Sequence, residues 1–299
     1  MVGGAAPYTL ADNLSKSSSP AAHSPRGAEK FTIDRKLCRT GSLGGKLRVR
    51  RMPYATITIE HSVVASTSTD RTFNVPEPPL HIERIASMPF DENSYVAHLA
   101  GRQDCVIVDP GLEPNLIIDY LDEHRLTPAA ILNTHGHADH IAGNADMKER
   151  WPDCPLVIGR GDAPKLTSPA QNLSSGFGYS IVSPPADKLL DEGDEYEAAG
   201  FRFLVREIPG HSEGHIVFIC RDTAPHFVFG GDVLFNGSIG RTDFPGGSFP
   251  QLRQGIHEKL FTLPDDTVVL SGHGDPTTTG DERRTNPFVG GKAGLYELE

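Results

Sequence analysis

From about residue 80 onward the apolar positions gather into short runs separated by turn residues. Runs at 95–99, 105–108, 129–132, 201–205, 216–220, 227–229 and 268–270 are too short for helices and rich in Val, Ile and Phe, which predicts strands. Two stretches carry a helical period instead. Leu116, Ile117, Tyr120 and Leu121 share one face, and Phe249, Leu252, Ile256 and Leu260 share another. Ser248 and Gln251 stand ahead of the second face at capping-box spacing. Strands both consecutive and helix-separated predict an α/β fold of stacked sheets with helices outside. No apolar run approaches the ~20 residues of a membrane-spanning helix, so no membrane partner is expected.

Residues 1–53 show no sustained period and are rich in Ser, Gly, Ala and Pro, as at Ser15, Ser17, Ser18, Ser19 and Pro20. Such a composition buries too little apolar surface to offset its chain entropy, so a disordered N-terminal extension is expected. The segment holds ten Lys/Arg against three Asp/Glu, net +7, leaving −18 on the rest of a chain whose total is −11. It is basic and Ser-rich like a transit peptide, but it lacks an amphipathic pattern and the apolar stretch of a secretory signal. An inert tail, or an over-long start with Met52 and Met88 as later starts, is the preferred reading. Residues 54–79 read as a linker with one short strand at 55–60 and a turn-rich tract at Pro76, Pro78 and Pro79. The folded body is expected at 80–299, long enough for one core.

Charge and cysteine usage narrow the function. An acidic body disfavours nucleic acid as a partner, because phosphate binding needs a basic surface. Cys38, Cys105, Cys154 and Cys220 are widely spaced with no C-x-x-C pair. That excludes a disulfide scaffold and a thiolate zinc finger, and predicts inert thiols in a reducing, cytoplasmic setting.

The chemistry is concentrated just after the run 129–132, in Thr134-His135-Gly136-His137-Ala138-Asp139-His140. His135 and His137 project to the same side of an extended segment. In a chain of this length and composition H-x-H-x-D-H arises by chance about twice in a thousand sequences. Imidazole with carboxylate suits zinc, iron or manganese and not calcium. Further donors sit at predicted strand ends downstream: His211 and His215 in PGHSEGH, Asp232 in GGD, and His273 in SGHG. Each stands beside glycines, which let backbone approach a ligand closely. Any one of these histidines alone would be a packing residue; together with the first cluster they read as a metal site.

The series THGHADH, PGHSEGH, GGD and SGHG resembles the metallo-β-lactamase superfamily in its glyoxalase II-like branch. Residues 231–235, Ser238 to Gly247, Gly272-His273-Gly274 with Thr277 and Thr278, and Glu282-Arg283 ahead of Asn286-Pro287-Phe288 resemble the short, single-domain bacterial hydroxyacylglutathione hydrolases. The resemblance covers about 80–299 and implies a four-layer αβ/βα sandwich with two divalent metal ions at one edge, zinc first and iron or manganese as alternatives. It implies that His135, His137 and His211 hold one metal, that Asp139, His140 and His273 hold the other, and that Asp232 bridges both. Asp109 matches an acid behind the ligands and is equally readable as a turn residue. His215 is a ligand or, preferably, a donor behind one. Arg241 is readable as a substrate-carboxylate contact or a structural ion pair.

Two cations sharing a hydroxide lower the pKa of bound water to roughly 7 and supply a nucleophile at neutral pH. With Asp139 and Asp232 as the catalytic carboxylates, such a site suits a thioester, since a thiol of pKa about 8.5 leaves without a strong acid. The resemblance implies S-2-hydroxyacylglutathione, such as S-lactoylglutathione, as the small-molecule partner. Longer relatives grip glutathione with a C-terminal helical domain, whereas 26 residues follow His273 here. The loop 167–185, with Phe177 and Tyr179 among Ser and Gly, is equally readable as a lid over the ligand or as a surface excursion. Ser271 and Asp275 replace prolines expected around the last histidine. The leading alternative is a mononuclear-iron persulfide dioxygenase, which HADH and GRTDF also resemble and which would use His135, His211 and Asp232. A lactonase, a nuclease of the same superfamily and a non-catalytic binder rank lower, and oligomeric state is not legible.

Overall fold

The computed structural model describes residues 32–34, 54–59 and 80–291. Most of the expected disordered extension and of the linker lies outside the described residues, as does Cys38. The strand expected at 55–60 is Tyr54–Ile59, which pairs with Thr32–Asp34 on one side and Leu80–Ser87 on the other. Ile57 is buried, so this segment contributes to the core of the folded body.

The first half of the chain builds β1 (Thr32–Asp34), β2 (Tyr54–Ile59), β3 (Leu80–Ser87), β4 (Glu92–Leu99) and β5 (Asp104–Val108). Helix α1 (Pro114–His124), β6 (Thr127–Asn133), α2 (Ala138–Ile141), α3 (Asn144–Arg150), β7 (Leu156–Gly159), α4 (Ala163–Leu166) and β8 (Lys188–Leu190) follow. These strands form one eight-stranded sheet in chain order. It is antiparallel up to β5 and parallel from β5 to β8. The second half supplies β9 (Glu195–Ala198), β10 (Phe201–Glu207), β11 (Ile216–Cys220), β12 (Phe227–Gly231) and the hairpin β13 (Leu234–Phe235) with β14 (Ser238–Ile239). Then come α5 (Phe249–Gly255), β15 (Val268–Ser271), β16 (Thr277–Thr278) and α6 (Thr279–Thr285). The second sheet runs β16-β15-β12-β11-β10-β9, antiparallel except for the parallel pair β12–β15.

Both sheets are buried on both faces, which is why the strands read as continuous apolar runs without alternation. Period two sorts their side chains. Val106, Val108, Ala130 and Leu132 face Phe203, Phe218, Phe227 and Phe229 of the other sheet. Cys105, Ile107, Ile131 and Leu156 face outward onto Ile117, Leu121 and Met147 of the helices. On the far side Val217, Ile219, Val228 and Val269 meet Leu252, Ile256 and Leu260. Three apolar layers between two sheets and two helical coats make the four-layer αβ/βα sandwich. Cys105, Cys154 and Cys220 are buried in it, and burial pushes the Cys154 thiol up to about 12.

The capping box expected at Ser248 is not formed. Ser248 is the residue before α5, but its side chain makes no capping hydrogen bond. Pro250, the second helical residue, has no N–H to give. The apolar face continues past α5 through one turn of π-helix, Ile256–Leu260. No helix among the described residues is long and apolar enough to cross a membrane.

Candidate metal centre

The parallel pairs β5–β6 and β12–β15 end at one edge of the sandwich, where backbone hydrogen bonds join the two sheets. Ile216 N–H donates to Thr134 O at 2.9 Å and Asn93 N–H to Gly272 O at 2.7 Å, and within the second sheet Gly272 N–H donates to Gly231 O at 2.8 Å. Side chains just beyond the strand ends therefore converge. Gly272 allows a close approach, since a Cβ there would overlap Asp232 Oδ1 and lie 2.7 Å from His140 Cε1.

His135, His137, His140, His211 and Asp232 are buried in this edge, while Asp139 and His273 are partly open to solvent. His137 Nδ1 and His211 Nε2 lie 2.9 Å apart, and His135 Nε2 beside them is buried with no hydrogen-bond partner. Asp139, His140 and His273 form a second group of converging donors. Asp232 stands between the two. Its Oδ2 is 3.4 Å from His211 Nε2 and 3.5 Å from His273 Nε2, and its Oδ1 is 3.4 Å from His140 Nε2. Two ligands about 2.0–2.1 Å from one tetrahedral zinc lie about 3.3–3.4 Å apart, so these separations fit donors sharing a cation. The unpartnered His140 Nε2 and Asp232 Oδ1 fit the same role. The residues present suit divalent metal.

Electrostatics point the same way. Burial, helped by neighbouring imidazoles, lowers His135 well below the usual histidine range and takes His137 to about 3. Both are thus neutral, as ligands must be. Burial alone would raise the Asp232 carboxyl, but His140 and His273 outweigh it and hold Asp232 well below the carboxylate range. Burial would likewise lower His140 and His273, yet the carboxylates of Asp139 and Asp232 raise both. In metal-free protein those two imidazolium ions carry the charge that a cation would carry. The stabilisation they give is complete below the unfolded histidine pKa and is lost as pH rises through the raised values. A cation competes with the same protons. Its apparent affinity should therefore climb as pH rises from the ordinary histidine range through those raised values, with protons released on binding in calorimetry. An affinity flat across that window would contradict this assignment.

A second ring of groups orients these donors. Asp109, at φ +48 just past β5, accepts from Thr134 N–H at 2.7 Å and Thr134 Oγ1 at 2.6 Å, and its Oδ2 is 3.2 Å from His140 Nδ1. His215 Nε2 accepts the Asp232 N–H at 3.1 Å, which takes that nitrogen away from any metal. Arg241 forms a two-pronged pair with Asp243, both contacts 2.7 Å, and stacks 3.9 Å over Phe244. The loop 167–185 borders the centre. Phe177 lines the adjoining cleft, and Tyr179 is exposed outside it.

Two buried carboxylates were absent from the expected set. Asp162 follows β7 and accepts from Gly136 N–H and Gly214 N–H, each at 2.8 Å, from Lys165 Nζ at 2.7 Å, and from Ser212 Oγ. It thereby ties the loop of His135 and His137 to the loop of His211. Glu92, at the start of β4, lies 3.8 Å from His140 Nδ1, and burial pushes its carboxyl well up.

Imidazoles and carboxylates converging where the strands of an αβ/βα sandwich end define a metal-dependent hydrolase centre. Residues 88–273 match the Metallo-beta-lactamase superfamily, and the chain belongs to it. It is 40% identical over 204 residues to the Bacillus subtilis "Probable metallo-hydrolase YqgX", covering 68% of this chain and 94% of that protein. It is 34% identical over 217 residues to Haemophilus influenzae "Hydroxyacylglutathione hydrolase GloC", covering 72% of this chain and all of that one. Among solved structures it resembles the BLEG-1 B3 metallo-beta-lactamase (38% identity, TM-score 0.67, 70% of this chain and 100% of that one). TTHA1623 in a di-iron-bound form gives 36% identity and a TM-score of 0.61 over 69% of this chain and 98% of that one. ETHE1 from Myxococcus xanthus gives 28% and 0.57 over 70% and 84%.

Proposed function

We propose that this hydrolase cleaves thioesters, with S-2-hydroxyacylglutathione as the class to try first, at a binuclear centre held by His135, His137 and His211, by Asp139, His140 and His273, and by Asp232 between them. The carrying observation is the position of Asp232, whose Oδ2 lies within 3.5 Å of one imidazole from each group, His211 and His273, while its Oδ1 faces His140. When bound, two divalent cations supply an acidified water and polarise the scissile carbonyl. This chain's residues do the rest. Asp109 and Thr134 fix the His140 and His135 rings, His215 holds the Asp232 backbone, and Asp162 keeps the two ligand loops in register. Asp139 and His273 line the cleft, where a carbonyl would enter. A thiolate needs no strong acid to depart, which agrees with the absence of an uncommitted general acid among the described residues lining the cleft. The name and 34% identity of GloC support the same substrate class. Zinc is the first metal to test; the di-iron relative gives iron equal standing as a trial.

The likeness to ETHE1 favours a second reading, a mononuclear-iron dioxygenase using His135, His211 and Asp232. Parallel assays separate them. Protein loaded with zinc, and separately with iron, is given S-lactoylglutathione while thioester absorbance is followed, and glutathione persulfide while oxygen uptake is followed. Thioester loss without oxygen uptake is expected. Oxygen uptake with an inert thioester would replace the hydrolase reading.

A further inference from the structure

Beside the metal centre lies a cleft of about 420 Å³. Away from the histidines its wall is built of Phe90, Leu173, Phe177, Phe235, Ile239 and Phe244. Phe90 and Phe177 come from opposite rims, the β3–β4 turn and the 167–185 loop, and meet edge to face with ring centroids 6.0 Å apart. Both remain open to solvent, at 40% and 56% exposure. With Met88, Tyr179 and Val182, on the same two segments, they make up five of the six large exposed apolar side chains among the described residues. Phe90 and Phe177 line the cleft itself, so exposed aromatic surface at its mouth is available to a ligand.

Leu173 strengthens the case. It lines the cleft at φ +72, a left-handed conformation that costs a branched side chain free energy. Buried Asn172 enforces it, accepting from Ser174 N–H at 3.0 Å and donating to Ile181 O at 2.9 Å. The strained backbone presents an apolar side chain to the cleft.

Charge is arranged in the opposite sense. Arg241 is the one Lys or Arg lining the cleft among the described residues, and it pairs with Asp243 and stacks on the face of Phe244. Lys165 behind the centre pairs with Asp162. Away from the metal centre, the carboxylates of a tripeptide thiol therefore meet no unpaired Lys or Arg among the described residues lining the cleft, whereas an apolar group beside the reacting carbon meets aromatic surface.

Building on the thioesterase reading, we propose that the cleft selects its thioester by an apolar group beside the scissile carbonyl, an aromatic or branched acyl chain, and not by the carboxylates of the thiol carrier. The test compares kcat/KM of the metal-loaded full chain on three thioesters. S-mandeloylglutathione replaces the methyl of S-lactoylglutathione with a phenyl, and S-lactoyl-N-acetylcysteamine removes the carrier's charges. Filling an apolar pocket with a ring is expected to favour mandeloyl over lactoyl by at least about tenfold. The uncharged carrier should match glutathione within about threefold, and KM for S-lactoylglutathione should stay nearly constant as salt screens charge. Phe177→Ala should cut the mandeloyl preference by about fivefold or more. Calorimetry with two inert thioether probes keeps binding separate from turnover: S-benzyl-N-acetylcysteamine should bind at least about tenfold more tightly than S-methylglutathione. Tighter S-methylglutathione binding, or a tenfold advantage of S-lactoylglutathione over the other two, overturns the inference. If no thioester is cleaved while the benzyl thioether still binds more tightly, the thioesterase reading fails and the apolar selectivity stands.

Discussion

Asp232→Ala should abolish turnover, with kcat/KM down by about three orders of magnitude or more, while the fold survives. The carboxylate is the element common to both groups of imidazoles, so its loss weakens both cation sites together. Changes merely behind a ligand cost about 10–100-fold in metal affinity, and a shared ligand must cost more. None of the three apolar layers includes Asp232, so circular dichroism should change little, while the thermal transition of metal-free protein falls because His140 and His273 lose a carboxylate partner. Metal analysis after dialysis should find far less than two equivalents per chain. A variant that keeps both metals and its activity would show that Asp232 is not the shared ligand of the centre.

Asp162→Ala should damage both stability and metal retention. Four donors meet this buried carboxylate, and the ammonium of Lys165 is one of them. Breaking a buried pair by removing one partner costs about 3–5 kcal/mol. In a domain of this size that lowers Tm by on the order of 10 °C. The loops of His135–His137 and of His211 also lose their common anchor, so zinc affinity should fall about 10–100-fold. Asp162→Asn, which keeps an acceptor but not the charge, should fall between. An alanine variant with lowered Tm but unchanged zinc affinity would make Asp162 a fold residue with no part in holding the centre.

Much of this architecture is legible in the chain because burial on both faces writes each central strand as a Val, Ile and Phe run. The expected run at 105–108 is β5, that at 216–220 is β11, and that at 268–270 is the body of β15. Peripheral pieces are not legible that way. β3 alternates polar and apolar residues (LHIERIAS), and β8, β9 and β16 are two to four residues long. Their pairing is set by the sheet, not by local pattern. The site divides on the same principle. Histidines spaced along one segment announce themselves, and the structure brings all seven expected ligands together at the edge where the two sheets meet. Asp162 is a lone aspartate in GRGDAP, and its partners lie 26 and 52 residues away, so only the fold reveals what it does. The Nε2 of His215 accepts the Asp232 amide, a fact of geometry that spacing does not encode.

The central claim is that a metal pair held by these seven residues hydrolyses a thioester. Its most direct test is the turnover of S-lactoylglutathione by metal-free full-length chain as zinc is titrated in. The account predicts no turnover without metal and a rise that levels off at two equivalents per chain, with kcat in the ordinary range of about 1–10³ per second. Turnover that ignores added metal, or that levels off at one equivalent, would contradict it.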